Sequence, residues 1–238
     1  MPTFSLWLPA GSNNVHPCGD PYAHHLFMRC LYHAKHDPTM KFDVKTTNVN
    51  KTSQEFKNTG LRRMPGISAE ESGETQTFET EDDILDFLEY LKPERGDDEE
   101  AENATCDLFR QFARFVKDVE HRDTAFNTEL LRLDKYLSEQ ETKFLISDDV
   151  THIDCLVLTR LHSIRVAAKM LKNYEIPADL SHVLDYLKAG YATEMFRVSC
   201  PSDQEIVLHW TELKDTPRLS AKDRAKLVRE EPVFSFSV

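Results

Sequence analysis

Cysteine is the residue type best suited to covalent chemistry, and its spacing in this chain does not favour such chemistry. The five cysteines are widely separated, at Cys18, Cys30, Cys106, Cys155 and Cys200. Their number is odd, and no two of them have Cys-x-x-Cys or metal-ligand spacing. The sequence therefore predicts no disulfide scaffold and favours a reducing, cytoplasmic compartment.

Histidine could bind a metal, and half of the ten histidines lie between residues 16 and 36. His33, His36 and Asp37 offer three ligand side chains, but an i, i+3 histidine pair is weak evidence for a site. We predict no metal site. We expect these histidines on the solvated face of a helix whose other face is apolar.

Charge and hydropathy exclude several classes of protein. The chain has 41 acidic against 29 basic residues and a net charge of −12, so we expect no nucleic-acid partner. No stretch approaches 18 consecutive apolar residues, and hydropathy therefore predicts no transmembrane helix. The N-terminal residues MPTFSLWLPAG lack a basic segment and are typical of a strand rather than a signal peptide.

The first 92 residues have the pattern of a small α/β unit. Residues 4–8 and 41–49 favour strands, and residues 67–78 favour a hairpin around Ser72-Gly73. Asp20-Pro21 predicts a helix start, because aspartate is a preferred N-cap and proline a preferred first helical residue. Thr80, with Asp83 three residues later, predicts a second helix start.

The rest of the chain has only helical patterns. After an acidic linker at 93–101, we predict an all-helical domain over 102–238, with helices near 102–118, 124–139, 151–172, 180–189, 191–197 and 203–213. In the helix at 151–172 the apolar residues cover most faces, which predicts burial nearly all round. Thr151 and Asp154 have the spacing of a capping box at its start.

Several short segments match a known family in order and spacing. They are LFM at 26–28, DLFRQFARFVK at 107–117, LDKYL at 133–137, DC at 154–155, RLHSIRVAAK at 160–169, Ile176-Pro177 and CPSD at 200–203. With them the chain resembles the cytosolic glutathione transferases and, within that superfamily, the chloride intracellular channel proteins.

The resemblance implies a thioredoxin-like N-terminal domain (1–92) followed by an all-helical domain of the glutathione-transferase type. It also implies chloride as a transported ion, a cytoplasmic protein with a membrane-associated fraction, and a membrane surface or lipid as partner. Cytoskeletal or other proteins are further expected partners.

The chain departs from the family where thiol chemistry would occur. In vertebrate members of the family the first helix begins with Cys-Pro-Phe-Cys or Cys-Pro-Phe-Ser, and Pro21-Tyr22 sets the register here. The chain resembles an invertebrate-type member that lacks the active-site cysteine. The thiol position is therefore Asp20 and the resolving position is Ala23, while Cys18 lies two residues too early. We predict no catalytic residue. Asp20 is either a helix cap or a carboxylate that tunes a ligand pocket.

Other positions correspond to the superfamily's glutathione site. Asp20 and Pro21 begin the first helix, and Met64-Pro65 falls where the superfamily has a cis-proline. Thr80 and Glu81 fall where the next helix holds the γ-glutamyl group, although a plain helix cap explains them equally well. Glutathione is therefore a candidate ligand.

The family's proposed membrane segment corresponds to Pro21 to Asp43. This segment contains five charged residues, Arg29, Lys35, Asp37, Lys41 and Asp43. Each central charge costs about 2.5–3.5 kcal/mol on insertion, which disfavours a simple spanning helix. We expect instead that acid adds charge to the helix-face histidines, His24, His25, His33 and His36, and so attaches the helix to anionic lipid.

Three functions remain open from the sequence. The first is a channel-type protein of this family, and the second is a glutathione-dependent transferase or thiol reductase. The third is a non-catalytic interaction protein on the same fold. Asp20 and Ala23 argue against the thiol reductase.

Overall fold

A mixed four-stranded sheet forms the centre of the N-terminal part. The computed structural model describes residues 3–71, 74–91, 99–117, 119 and 122–238. The strands are β1 (Thr3–Pro9), β2 (Phe42–Thr47), β3 (Gly66–Glu71) and β4 (Glu74–Phe78), in the order β2-β1-β3-β4. β2 is parallel to β1, whereas β3 is antiparallel to β1 and to β4. This confirms the expected thioredoxin-like sheet. The turn at Ser72-Gly73 lies outside the described residues.

Three helices accompany the sheet: α1 (Pro21–His36), α2 (Gln54–Asn58) and α3 (Glu81–Leu91). Helix α2 is too short to have an apolar repeat, and the sequence analysis did not predict it. Only its Phe56 is buried, with its ring 5.4 Å from the Trp7 ring. Phe56 thus packs this helix against Trp7 of β1, and Glu55 pairs with Lys45 of β2 at 2.5 Å.

Helices account for most of the remaining described residues: α4 (Glu99–Thr105), α5 (Leu108–Val116), α6 (Thr124–Glu139), α7 (His152–Lys172), α8 (Ser181–Ala192), α9 (Glu194–Ser199), α10 (Asp203–Glu212) and α11 (Ala221–Arg229). The single helix expected at 102–118 is two helices, because Thr105 and Asp107 are residues that favour helix ends. The sequence analysis did not predict α11.

The expected division into domains at 1–92, 93–101 and 102–238 remains a prediction. Residues 92–98, which make up most of the proposed linker, lie outside the described residues. Residues 99–101 form the first turn of α4.

Helix α1 is shared by two hydrophobic cores. Its Ala23, Leu26 and Cys30 are fully buried in the core of the sheet domain, together with residues of β1 and α3. Its Met28 and Tyr32 belong to the larger core around α7. Both sides of α1 are therefore covered.

This placement makes the expectation of a solvated histidine face wrong. His24, His25 and His33 are buried, and Arg29 is only 5% exposed. His24 Nε2 lies 3.1 Å from the Ser199 hydroxyl, and its ring packs on Phe196 with centroids 5.0 Å apart. His24, His25 and Arg29 face the helical domain instead of water, whereas Lys35 and His36 are exposed. A pattern within one helix does not reveal such a neighbour.

The central helix α7 begins at a buried carboxylate. Asp154 accepts hydrogen bonds from the backbone N–H of Thr151 (2.9 Å) and of Leu145 (3.1 Å). It also accepts from the hydroxyls of Thr151 (2.6 Å) and Tyr186 (2.9 Å). Thr151 and Asp154 form a capping box, and Asp154 joins it to α8 and to the preceding loop.

Candidate ligand site at the start of helix α1

Asp20 is the N-cap of α1, and its carboxylate accepts a hydrogen bond from the backbone N–H of Tyr22 at 3.0 Å. Pro21 occupies the first helical position. Ala23, at the resolving position, is fully buried in the core. The two positions where the family places thiol chemistry therefore hold a capping carboxylate and a methyl group.

The nearby Cys18 is not an activated thiol. Burial raises its pKa to about 12, and the charges of Asp20 and Glu205 act in the same direction. A thiol with so high a pKa is protonated at neutral pH and is a poor nucleophile. Burial also raises the pKa of Cys30, which lies in the core as an unreactive thiol.

The peptide bond between Met64 and Pro65 is cis, at the position just before β3. Gly66 follows it, and a Cβ at that position would lie 3.0 Å from the carbonyl oxygen of Arg63. This close approach explains why a small residue follows the proline here. The backbone feature that the superfamily uses beside glutathione is thus present.

Thr80 caps α3, because its hydroxyl accepts a hydrogen bond from the N–H of Asp83 at 3.1 Å. Glu81, the first residue of α3, lies across from the start of α1. The plain capping role accounts for the geometry of Thr80. Whether Thr80 and Glu81 hold a γ-glutamyl group remains a prediction.

A cavity of about 220 Å³ lies beside the start of α1. Asp20, Pro21 and Glu81 line it, whereas Met64, Pro65 and Thr80 do not. The helical domain closes it with side chains that include Arg160 and Trp210. Three of the six expected glutathione-site residues are thus brought together at one cavity.

Tyr22 also lines this cavity, and its hydroxyl has no hydrogen-bond partner among the described residues. Burial raises the pKa of Tyr22, and the charges of Glu81 and Asp20 raise it further. The phenol is therefore protonated and can donate a hydrogen bond to a ligand. It is not poised to become a phenolate that could activate a thiol.

Arg160, on α7, is a site residue that the sequence analysis did not single out. Its guanidinium lies over the Phe109 ring, 5.2 Å from the centroid. Burial lowers the pKa of Arg160, and the charge of Glu81 opposes that effect. The sequence feature that could have indicated Arg160 is its spacing. Arg160 follows Leu156 by one helical turn, so both lie on the same face of α7, and both line the cavity.

The proposed membrane segment, Pro21 to Asp43, comprises α1, the turn after it and the first residues of β2. Among the described residues, no helix combines the length and apolar character needed to cross a membrane. Burial lowers the pKa of His24 and His25 well below the usual value, and cationic and histidine neighbours lower it further. The expectation that acid charges His24 and His25 on the surface of the folded chain is therefore wrong. His33 is also buried, whereas His36 is exposed as expected.

In the part of the chain that the structure describes, no three or more His, Cys, Asp or Glu side chains are arranged to hold a metal ion. His36 instead lies with Nδ1 2.8 Å from the carbonyl oxygen of Tyr32. Asp37 accepts from the N–H and hydroxyl of Thr39. These residues stabilise the end of α1.

Comparison with known proteins gives a clear sequence relative. The chain is 29% identical over 236 residues to the chloride intracellular channel exc-4 of Caenorhabditis elegans, covering 89% of this chain and 80% of that protein. No protein-family profile matches the chain.

Solved structures agree on the fold. The crystal structure of the C. elegans CLIC homologue EXC-4 has a TM-score of 0.84 at 24% identity, covering 100% of this chain and 94% of the other. Dehydroascorbate reductase of Chlamydomonas reinhardtii gives 0.68 at 19% identity, covering 87% and 96%. Glutathione transferase Omega 1C of Trametes versicolor gives 0.62 at 11% identity, covering 88% and 95%.

The two reductase and transferase structures share the arrangement of domains, but at these identities they indicate the fold alone. The exc-4 match extends over 89% of this chain. The chain is therefore similar over most of its length to a chloride intracellular channel protein, and it has the glutathione-transferase fold.

Proposed function

We propose that this protein associates with membranes and passes chloride, as the name of its relative exc-4 indicates for that protein. The observation that carries the proposal is the similarity to exc-4 over 89% of the chain. The absence of sulfur at Asp20 and Ala23 supports it, because thiol chemistry has no nucleophile there.

Chloride passage would require α1 to leave its place in the fold. The helix is covered by both cores, and Arg29 is buried against the helical domain. Acid favours such a release, because His24 and His25 have a lowered pKa only while they are buried. Once released, each regains a pKa of about 6.5 and binds a proton below that pH.

Chloride efflux from vesicles containing anionic lipid tests this proposal at pH 7.5 and pH 5.5. We expect faster efflux at pH 5.5, by roughly tenfold for each histidine that gains a proton on release. Absence of efflux at both pH values would contradict the proposal.

A pair of charge reversals tests whether the segment Pro21 to Asp43 contributes to the path. Lys35 is exposed and lies 3.6 Å from Asp149 in a surface ion pair, so Lys35→Glu leaves the core intact. Lys222→Glu makes the same change on exposed α11 and serves as the control. We expect only Lys35→Glu to reduce chloride efflux. Equal effects of both variants would show that this segment does not line the path.

A glutathione-dependent activity is the second candidate. It is favoured by the cis Met64–Pro65 bond and by the capped start of α3, and glutathione remains a proposed ligand. We expect the protein to reduce a mixed disulfide negligibly. Asp20→Cys should create a thiol of low pKa at the helix N-terminus and a measurable reductase activity.

A glutathione-coupled reductase assay and a chlorodinitrobenzene assay check this prediction. Cys18→Ala is the control, because Cys18 should contribute nothing. Strong reduction by the unaltered chain that disappears in Cys18→Ala would show that Cys18 holds the thiol position. A lipid surface and cytoskeletal or other proteins remain proposed partners.

A further inference from the structure

A second, larger cleft lies between the two domains, away from the start of α1. Its volume is about 660 Å³, and its walls come from α1, α3, α4, α5 and α7. It borders the smaller cavity, with which it shares Phe109, Leu156 and Arg160. A cleft of this size can take up a small organic molecule.

Most of the cleft wall is apolar. Leu85 lies on α3, Phe109 on α5, and Ile153, Leu156 and Val157 on α7. Apolar surface in a concave site is stabilised when a ligand's apolar part displaces water from it. The walls therefore suit a ligand with an aliphatic or aromatic body.

Arg160 supplies a cation that forms no ion pair with a carboxylate among the described residues. Its guanidinium stacks on the Phe109 ring, 5.2 Å from the centroid. It makes no hydrogen bond and no ion pair with the residues that the structure describes. A partly buried guanidinium without a carboxylate partner offers a two-pronged site for an anion.

His25 supplies a second polar group in the same wall. The residue is 4% exposed, and its Nδ1 has no hydrogen-bond partner among the described residues. Burial lowers the pKa of His25 well below the usual value, and the charges of Arg29 and Arg160 contribute to this. The ring is therefore neutral and can present an N–H donor to an anion.

We propose that this cleft binds a small amphipathic monocarboxylate of fatty-acid type. Its carboxylate lies between the Arg160 guanidinium and His25 Nδ1, and its apolar body lies against the walls formed by α3, α5 and α7. Exposed Asp86, Glu89 and Glu102 also line the cleft and repel a second negative charge. The site thus selects a monoanion over a dicarboxylate.

Calorimetric titration of the full chain with decanoate tests the proposal, with decanol and decanedioate as matched probes. We expect decanoate to bind roughly tenfold more tightly than either, since it alone has one charged end and one apolar end. Arg160→Gln should remove this advantage over decanol. Arg218→Gln, at an exposed position, should leave it unchanged.

Leu156→Trp, which fills the cleft but keeps Arg160, should also abolish decanoate binding, and the thermal midpoint of each variant shows whether it folds. Equal affinity for decanoate and decanol would overturn the proposal. So would decanoate binding that survives in folded Arg160→Gln. Displacement of decanoate by glutathione would place the ligand in the smaller cavity instead and likewise overturn it.

Discussion

Helices α1 and α7 pack against each other at the centre of the molecule, but they bury their polar groups differently. In α7 the buried Asp154 accepts four hydrogen bonds, and Ser163 accepts one from Trp210 Nε1 at 2.9 Å. In α1 the buried His25 has an Nδ1 atom with no partner among the described residues. The buried carboxylate of α7 is thus fully hydrogen-bonded, whereas α1 is buried although His25 Nδ1 lacks a partner among the described residues.

The largest effect should come from removing the buried carboxylate of α7. Asp154→Ala leaves the N–H of Leu145 and the hydroxyl of Tyr186 buried without an acceptor. We expect the free energy of unfolding to fall by about 4 kcal/mol, since each unsatisfied buried group costs about 1–3 kcal/mol. Urea unfolding measures this. Asp148→Ala is the control, because exposed Asp148 accepts, from the described residues, only the N–H of Lys143.

Acid should have the next largest effect, because it lowers the stability of the fold through buried histidines on both helices. Burial lowers the pKa of His24 and His25 on α1, and that of His162 on α7 to about 3. Below pH 6.5 the unfolded chain therefore binds more protons than the folded chain, and stability falls as pH falls. Between pH 7.5 and 5.5 each such histidine should cost about 1.4 kcal/mol.

Urea unfolding of single His→Gln variants at the two pH values measures each contribution. Exposed His182, 3.3 Å from Asp134, provides the control variant, which should not reduce the loss on acidification. Burial raises the pKa of Asp154, and this has the opposite effect on stability as pH falls. If the free energy of unfolding falls equally in all variants between pH 7.5 and 5.5, these histidines do not cause the loss of stability in acid.

The smallest effect should distinguish the two helix caps. Thr151→Ala removes a hydroxyl that bonds the Asp154 carboxylate at 2.6 Å, and should cost about 1 kcal/mol. Asp20→Ala removes one bond to the N–H of Tyr22 at a partly exposed position, and should cost about 0.5 kcal/mol. Asp20→Ser, which can still cap, should be nearly neutral. A larger loss at Asp20 than at Thr151 would reverse the comparison.

The sequence was most informative where structure is decided locally. Proline at 21 and the spacing around Thr151 predict the starts of α1 and α7, and the family resemblance predicts the cis bond at Pro65. It was least informative where a distant element decides. The burial of His25 depends on α7, and the position of Arg160 in the cleft depends on α1 and α5.

Because α1 belongs to both cores, the two domains should not be separable units of folding. A fragment that lacks α1 would expose the surface that Met28 and Tyr32 cover in the helical domain. Removal of α1 would also take Ala23, Leu26 and Cys30 out of the core of the sheet domain. We therefore expect a single cooperative melting transition for the whole chain, in which neither half persists as a folded intermediate.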